Sequence, residues 1–248
     1  MMKFRRILMM DLLVLFTNPM WLLFATGFPI ALILVLGFLA SGSYGGTIRS
    51  YDYFGVSVMI YFLFNAATFS ANSFLEERIR RPNMRIVYSP IPPLFIHLSK
   101  VLAATIFCSV TYTAVALLLH LLIGINYGGA DCWALILLLI SSNLFFSSLG
   151  VVVCCILKSE SSANSVISLL LTLLAVMGGI FFPVDGMGRA ISAISWISPA
   201  KWLLVAGMRI IYDGDFSMFL PACLVLVLLA AASVALSARL FKGEEYIA

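Results

Sequence analysis

Residues 98–123 read LSKVLAATIFCSVTYTAVALLLHLLI, and past Lys100 this run holds no Asp, Glu, Lys or Arg. A helix over Val101–Ile123 is about 35 Å long at 1.5 Å per residue. That is enough to cross a hydrocarbon core of about 30 Å. Stretches of this kind recur along the chain. They predict an all-α polytopic membrane protein in which water is not the main solvent.

Composition agrees. Of 248 residues, 62% are hydrophobic and 10% are charged, and the mean hydropathy is +1.09. A soluble domain of this length needs a much larger charged share to cover its surface. Outward from residues 98–123, the predicted spans are about Met20–Ala40, Phe54–Leu75, Leu98–Ile123, Trp133–Leu157, Ser165–Phe182 (stopped by Pro183) and Phe219–Leu240. Six crossings put both termini on one side. Eleven basic residues, including Arg5, Arg6, Arg78, Arg81, Arg85, Lys100 and Lys158, fall on that side. Four, Arg49, Arg189, Lys201 and Arg209, fall on the other. The positive-inside bias therefore predicts cytoplasmic termini. It also accounts for the net charge of +4 without a nucleic-acid partner. Met1–Arg6 is basic, but no cleavable signal peptide is expected, because the apolar run that follows is too long and has no small-x-small site.

The five cysteines, Cys108, Cys132, Cys154, Cys155 and Cys223, form no CxxC pair and suit neither a disulfide framework nor a zinc site. H-E-x-x-H, G-x-S-x-G and P-loop patterns are missing, so the sequence carries no catalytic machinery and no metal site of its own. Asp213-Gly214-Asp215 reads as a turn, since two carboxylates fall short of the oxygens calcium needs.

Three stretches do not span. Residues 1–17 mix Lys3, Arg5, Arg6 and Asp11 with Phe4, Ile7, Leu8, Leu12 and Leu15, which suits a helix in the membrane interface; a kinked extension of the first span is the alternative. Residues 76–93 form the one long charged segment, with Glu76, Glu77, Arg78, Arg81, Arg85 and Pro90. They read as a solvated linker or as a docking element stiffened by its prolines. Residues 183–217 are too long for a turn and too short to span. Their helical spacing around Trp196, Pro199 and Arg209 predicts two short helices dipping into the bilayer.

Three polar stripes lie within or beside the spans. Tyr61, Asn65, Thr68 and Asn72 fall at i, i+4, i+7 and i+11. Asn143, Ser147, Gly150 and Cys154 repeat that spacing, and so do Ser161, Ser165, Ser168 and Thr172. Such faces either hold helices together or line a substrate path. No span interior is expected to hold a carboxylate, lysine or arginine, so coupling to an ion gradient lacks its usual group.

Set side by side, these features resemble the membrane subunits of type-2 ABC exporters, the drug and polysaccharide export permeases. Glu77-Arg78, Pro90 twelve residues on and Lys100 ten beyond that are similar to the family's coupling segment and the lysine opening its third span. Gly178-Gly179-Ile180-Phe181-Phe182-Pro183 is similar to its exit from span 5, and Trp196-Ile197-Ser198-Pro199 with Arg209 to its second re-entrant helix. Two positions depart from the pattern: Arg81-Pro82-Asn83 stands where the family often has Gly-Thr-Leu, and Gly188 where a second proline is expected.

The resemblance implies a single permease domain over residues 1–248, paired with a second permease and with two copies of an ATPase that holds ATP and magnesium. Glu76, Glu77, Arg78, Arg81, Arg85, Pro90 and Lys100 would couple to that ATPase. Gly179, Phe182, Pro183, Trp196, Pro199 and Arg209 would form the outer gate. Tyr61, Asn65, Thr68, Asn72, Asn143, Ser147, Ser168 and Thr172 are the candidate path. The setting is the plasma membrane, most naturally the bacterial cytoplasmic membrane, among its lipids. The cargo is drug-, lipid- or peptide-like. The alternatives are a non-transporting immunity or binding subunit, a channel or secondary carrier, and an exporter of lipid-linked polysaccharide.

Overall fold

The computed structural model describes residues 2–42, 49–75, 93–157, 159–181 and 188–240. Among them the secondary structure is helical throughout. In chain order the helices are α1 (Met2–Thr17), α2 (Pro19–Leu39), α3 (Ser50–Leu75), α4 (Pro93–Ile123), α5 (Cys132–Leu157), α6 (Glu160–Gly178), α7 (Arg189–Ser195), α8 (Pro199–Asp213) and α9 (Phe219–Leu240). Six of these, α2 to α6 and α9, are long and apolar enough to cross a membrane. The chain is an all-α, multi-pass membrane protein.

Proline and glycine set several boundaries. Pro19 opens α2 behind Asn18, whose side chain accepts the Met20 N–H. Proline costs nothing there because the first helical amides have no intrahelical partner. The expected end of the fifth span at Pro183 is corrected: α6 stops at Gly178 and starts at Glu160, five residues earlier than expected. Gly179 takes φ +76°, and Ile180 N–H bonds back to the Ala175 carbonyl at 3.2 Å. That is the left-handed glycine cap with its long-range closing bond, which only a residue without a Cβ adopts cheaply.

Burial runs opposite to apolarity for the best-separated helices. The least apolar span, α3, is the most buried: 83% of its most apolar 18 residues lie inside the bundle, against 22% for α2 and α9, the two most apolar. In a bilayer the outside must be the more apolar surface, because lipid tails replace water there. α3 therefore forms the axis of the fold, with α4 and α5 packed on it and α2 and α9 facing outward. Its helix also begins at Ser50, four residues before the expected Phe54. Ser50 Oγ donates to the Gly37 carbonyl at 2.8 Å, and buried Asp52 accepts the Asn126 N–H at 2.9 Å. These bonds extend the helix into polar sequence, and a carboxylate in the first turn suits the helix dipole.

Candidate functional site

α1 packs along the first half of α4. Phe4 meets Phe95 edge-on at 5.5 Å and Phe16 meets Phe107 at 5.0 Å. Between them Asp11 takes hydrogen bonds from the Ser99 hydroxyl and the Lys100 ammonium. Asp11 is 3% exposed and Lys100 is fully buried. Asp11, grouped in the sequence with the basic residues of a polar face, instead sits mid-stripe on the buried face with Ile7 and Leu15. Lys100, expected at the opening of the third span, lies in the first turns of α4, buried and with its counter-ion beside it. Arg5 and Arg6 are exposed on the other side, with Met9, Met10 and Leu13 beyond them, a surface suited to lipid. Lys100 thus bonds to α1. Glu76, Glu77, Arg78, Arg81, Arg85 and Pro90 lie outside the described residues.

On α3, Tyr61, Asn65, Thr68 and Asn72 are half-buried, while every other residue from Phe54 to Leu75 is buried. The predicted stripe is thus the one accessible line on the central helix between Phe54 and Leu75. It runs beside α6 and the segment just after it. Asn164 Nδ2 donates to Asn72 Oδ1 at 2.8 Å, the Tyr61 ring packs on Phe181 at 5.3 Å, and Tyr53 Oη donates to the Gly179 carbonyl at 3.2 Å. α6 buries Ala163, Ile167, Leu171 and Ala175 and leaves Ser161, Ser165, Ser168 and Thr172 exposed. The Ser165 and Thr172 hydroxyls donate to carbonyls four residues back, at 2.9 and 2.7 Å. Their donors are therefore satisfied, and their oxygens remain free to accept.

Asn143 and Ser147, also candidates for the path, are fully buried. Asn143 Nδ2 donates to Ser109 Oγ at 3.0 Å, and the Ser147 carbonyl accepts from Ser70 Oγ at 2.7 Å. One turn on, a Cβ at Gly150 would collide with the Ala67 carbonyl and Ser70 Oγ. This stripe joins α5 to α3 and α4 at close range.

The residues proposed for an outer gate divide in the same way. Phe182 and Pro183 are outside the described residues. Gly179 ends α6. α7 and α8 meet at 95°, as a broken span or a re-entrant pair does. Ser198 caps α8, accepting the Ala200 N–H at 3.2 Å while donating to the Leu174 carbonyl of α6 at 2.6 Å. Pro199 fills the first position of α8, and the Trp196 carbonyl accepts Trp202 Nε1 at 2.8 Å. Arg209 approaches Asp215 at 3.4 Å with both side chains 41% exposed, a geometry that contributes little. The Ser217 amide and hydroxyl hold the Asp215 carboxyl below the usual carboxylate range, with a lesser contribution from Arg209. Sequence reasoning missed the Asp11–Lys100 contact; its one signal was a single charge set inside each of two apolar runs.

A protein-family model described as "ABC-2 type transporter" matches residues 2–212. Among the curated proteins, none matches the chain.

Proposed function

The chain belongs to the ABC-2 type transporter family, and from that premise we propose that it is the permease of an ATP-driven exporter for amphipathic drug-, lipid- or peptide-like molecules. Members of the family are transport subunits of ABC transporters, which work with an ATPase. The finer assignment rests on one observation: Tyr61, Asn65, Thr68 and Asn72 form a half-buried polar line on an otherwise buried stretch of the central helix, and that line meets α6 at Asn164. Amides and hydroxyls offer weak, exchangeable hydrogen bonds, and the flanking apolar residues accept hydrocarbon. That mixture suits an amphipathic cargo that must bind and leave again.

In this reading the termini are cytoplasmic, and two such permeases face one another across α3 and α6. Two ATPase subunits carry ATP and magnesium and dock on residues 76–93. That segment joins the end of α3 to the start of α4, so its displacement pulls on both helices. The Asp11–Lys100 contact ties α1 to α4, so the three helices tilt together. The bent pair α7–α8, anchored to α6 through Ser198, closes the far end of the path.

The experiment is co-purification and ATP turnover with the partner ATPase, with Arg78→Glu and Arg85→Glu as variants. Both should insert normally but lose assembly and transport-linked ATP hydrolysis. Intact coupling in both variants would refute the docking role. The joint has its own test. Lys100→Met alone strands a buried carboxylate and should cost about 3–5 kcal/mol. Asp11→Leu with Lys100→Met restores stability yet should leave transport reduced per ATP hydrolysed.

A further inference from the structure

Away from the α3–α6 path, a cavity of about 220 Å³ lies between α3, α4 and α5. Three helical stripes line it: Val56 to Ile60, Thr113 to His120 and Cys132 to Leu139, each at i, i+3, i+4 spacing. Seven residues of helix make it a slot about 10 Å long, running along the helix axes. The walls are almost wholly apolar. Apart from Thr113 at the far end, the polar groups of the lining gather toward the end that holds the α4–α5 turn, on the side of the bundle opposite the termini. There His120 Nδ1 donates to the Ile125 carbonyl at 2.8 Å, which leaves Nε2 as the ring's open position. Tyr127 Oη is buried with no hydrogen-bond partner among the described residues.

Each simple occupant but one is disfavoured. Left empty, the slot forfeits dispersion contacts along all three walls. Water needs two to four polar partners, and below its mouth the slot offers only Thr113 among apolar side chains. The slot is also open sideways: Leu117, one of its lining residues, is 58% exposed, and Leu121 and Leu122 beyond it are 73% and 71% exposed. α4 crosses the membrane, so lipid lies outside that opening.

We propose that the slot binds one acyl chain of a phospholipid from the leaflet opposite the termini, with His120 and Tyr127 at the level of the ester and phosphate oxygens. A bound chain completes the packing of α3 against α4 and α5 and makes the bundle sensitive to chain length. The site is separate from the α3–α6 stripe and holds whatever the cargo is.

The test uses the full chain in liposomes of phosphatidylethanolamine and phosphatidylglycerol. These are doped with a phosphatidylcholine carrying a mid-chain diazirine, then photolysed and mapped by peptide mass spectrometry. Residues 113–120 and 132–139 should be labelled several-fold above 220–229 of α9, a stretch that is lipid-exposed but has no slot. Ala116→Trp fills the space and should bring that labelling down to the α9 level. Ile136→Phe does the same with a smaller ring, should the tryptophan prevent folding. Uniform labelling of all lipid-facing helices, or slot labelling that survives both fillings, overturns the proposal. So does slot labelling by a diazirine-bearing rhodamine but not by the lipid, which would give the slot to cargo.

Discussion

Two stripes on neighbouring helices share one spacing and end in opposite environments. Tyr61-Asn65-Thr68-Asn72 on α3 is the accessible line of an otherwise buried helix, whereas Asn143-Ser147-Gly150-Cys154 on α5 is sealed against its neighbours. Periodicity alone cannot separate them, because i, i+4, i+7, i+11 only says that four residues share a face. Side-chain size does. The α5 stripe narrows to Ser, Gly and Cys, and these let backbones approach until Gly150 touches the Ala67 carbonyl region and Cys154 Sγ lies 3.7 Å from the Ala71 carbonyl. The α3 stripe is built of Tyr, Asn, Thr and Asn, and it meets its neighbours through side chains, Asn72 on Asn164 and Tyr61 on Phe181, and stays half-exposed. Small residues let a helix pair close backbone to backbone in a membrane, whereas larger polar ones join it through side-chain hydrogen bonds.

The largest effect should come from spoiling the closed stripe. Gly150→Leu forces a side chain into the α3 backbone at Ala67 and Ser70, where nothing flexible can yield. A loss of about 3 kcal/mol is expected, read as a lower unfolding midpoint or loss of monodisperse protein in detergent. Gly42→Ala is the control, since a Cβ there meets nothing within 4 Å; its midpoint should not move. A tolerated Gly150→Leu would mean that α3 and α5 are not in contact, and the comparison would collapse.

Accessibility gives the next largest contrast. In a background with the native cysteines replaced by alanine or serine, Thr68→Cys should react with a small polar maleimide much faster than Ser147→Cys. Equal rates would mean that the α3 stripe is as sealed as the α5 stripe and is not a path.

How much of this was legible in the sequence follows from which force set each feature. The six spans were legible because hydrocarbon thickness imposes a length that apolar runs must meet, and α9 spans the same Phe219–Leu240 expected from the sequence. The ends of α6 were not, because the stretch around Ser161 and Ser165 looks like loop to a hydropathy scale, and Gly178-Gly179 stops a helix that apolar sequence would continue. The contact between Asp11 and Lys100 joins residues 89 apart. No local pattern announces it, only the cost of leaving either charge alone in apolar surroundings. The site was half legible: all three stripes were, but not which stripe stayed open, since that depends on the partner helix.

A subtler effect is expected at the seam between the stripes' two helix pairs. Asn72 and Asn164 form an interhelical amide contact at the edge of the open line. Such contacts are worth about 0.6 kcal/mol in membrane bundles, because the separated helices find other partners. Asn72→Ala and Asn164→Ala should each shift the unfolding midpoint slightly, and the double variant should show a coupling energy of that size. If the pair is a latch on the path, the same cycle measured on ATP-driven efflux should show a larger coupling than the stability cycle does. The stability cycle sees only the folded helices, whereas turnover requires α3 and α6 to separate and rejoin. Equal couplings in the two measurements would reduce the contact to interhelical packing and move the path's edge back toward Thr68.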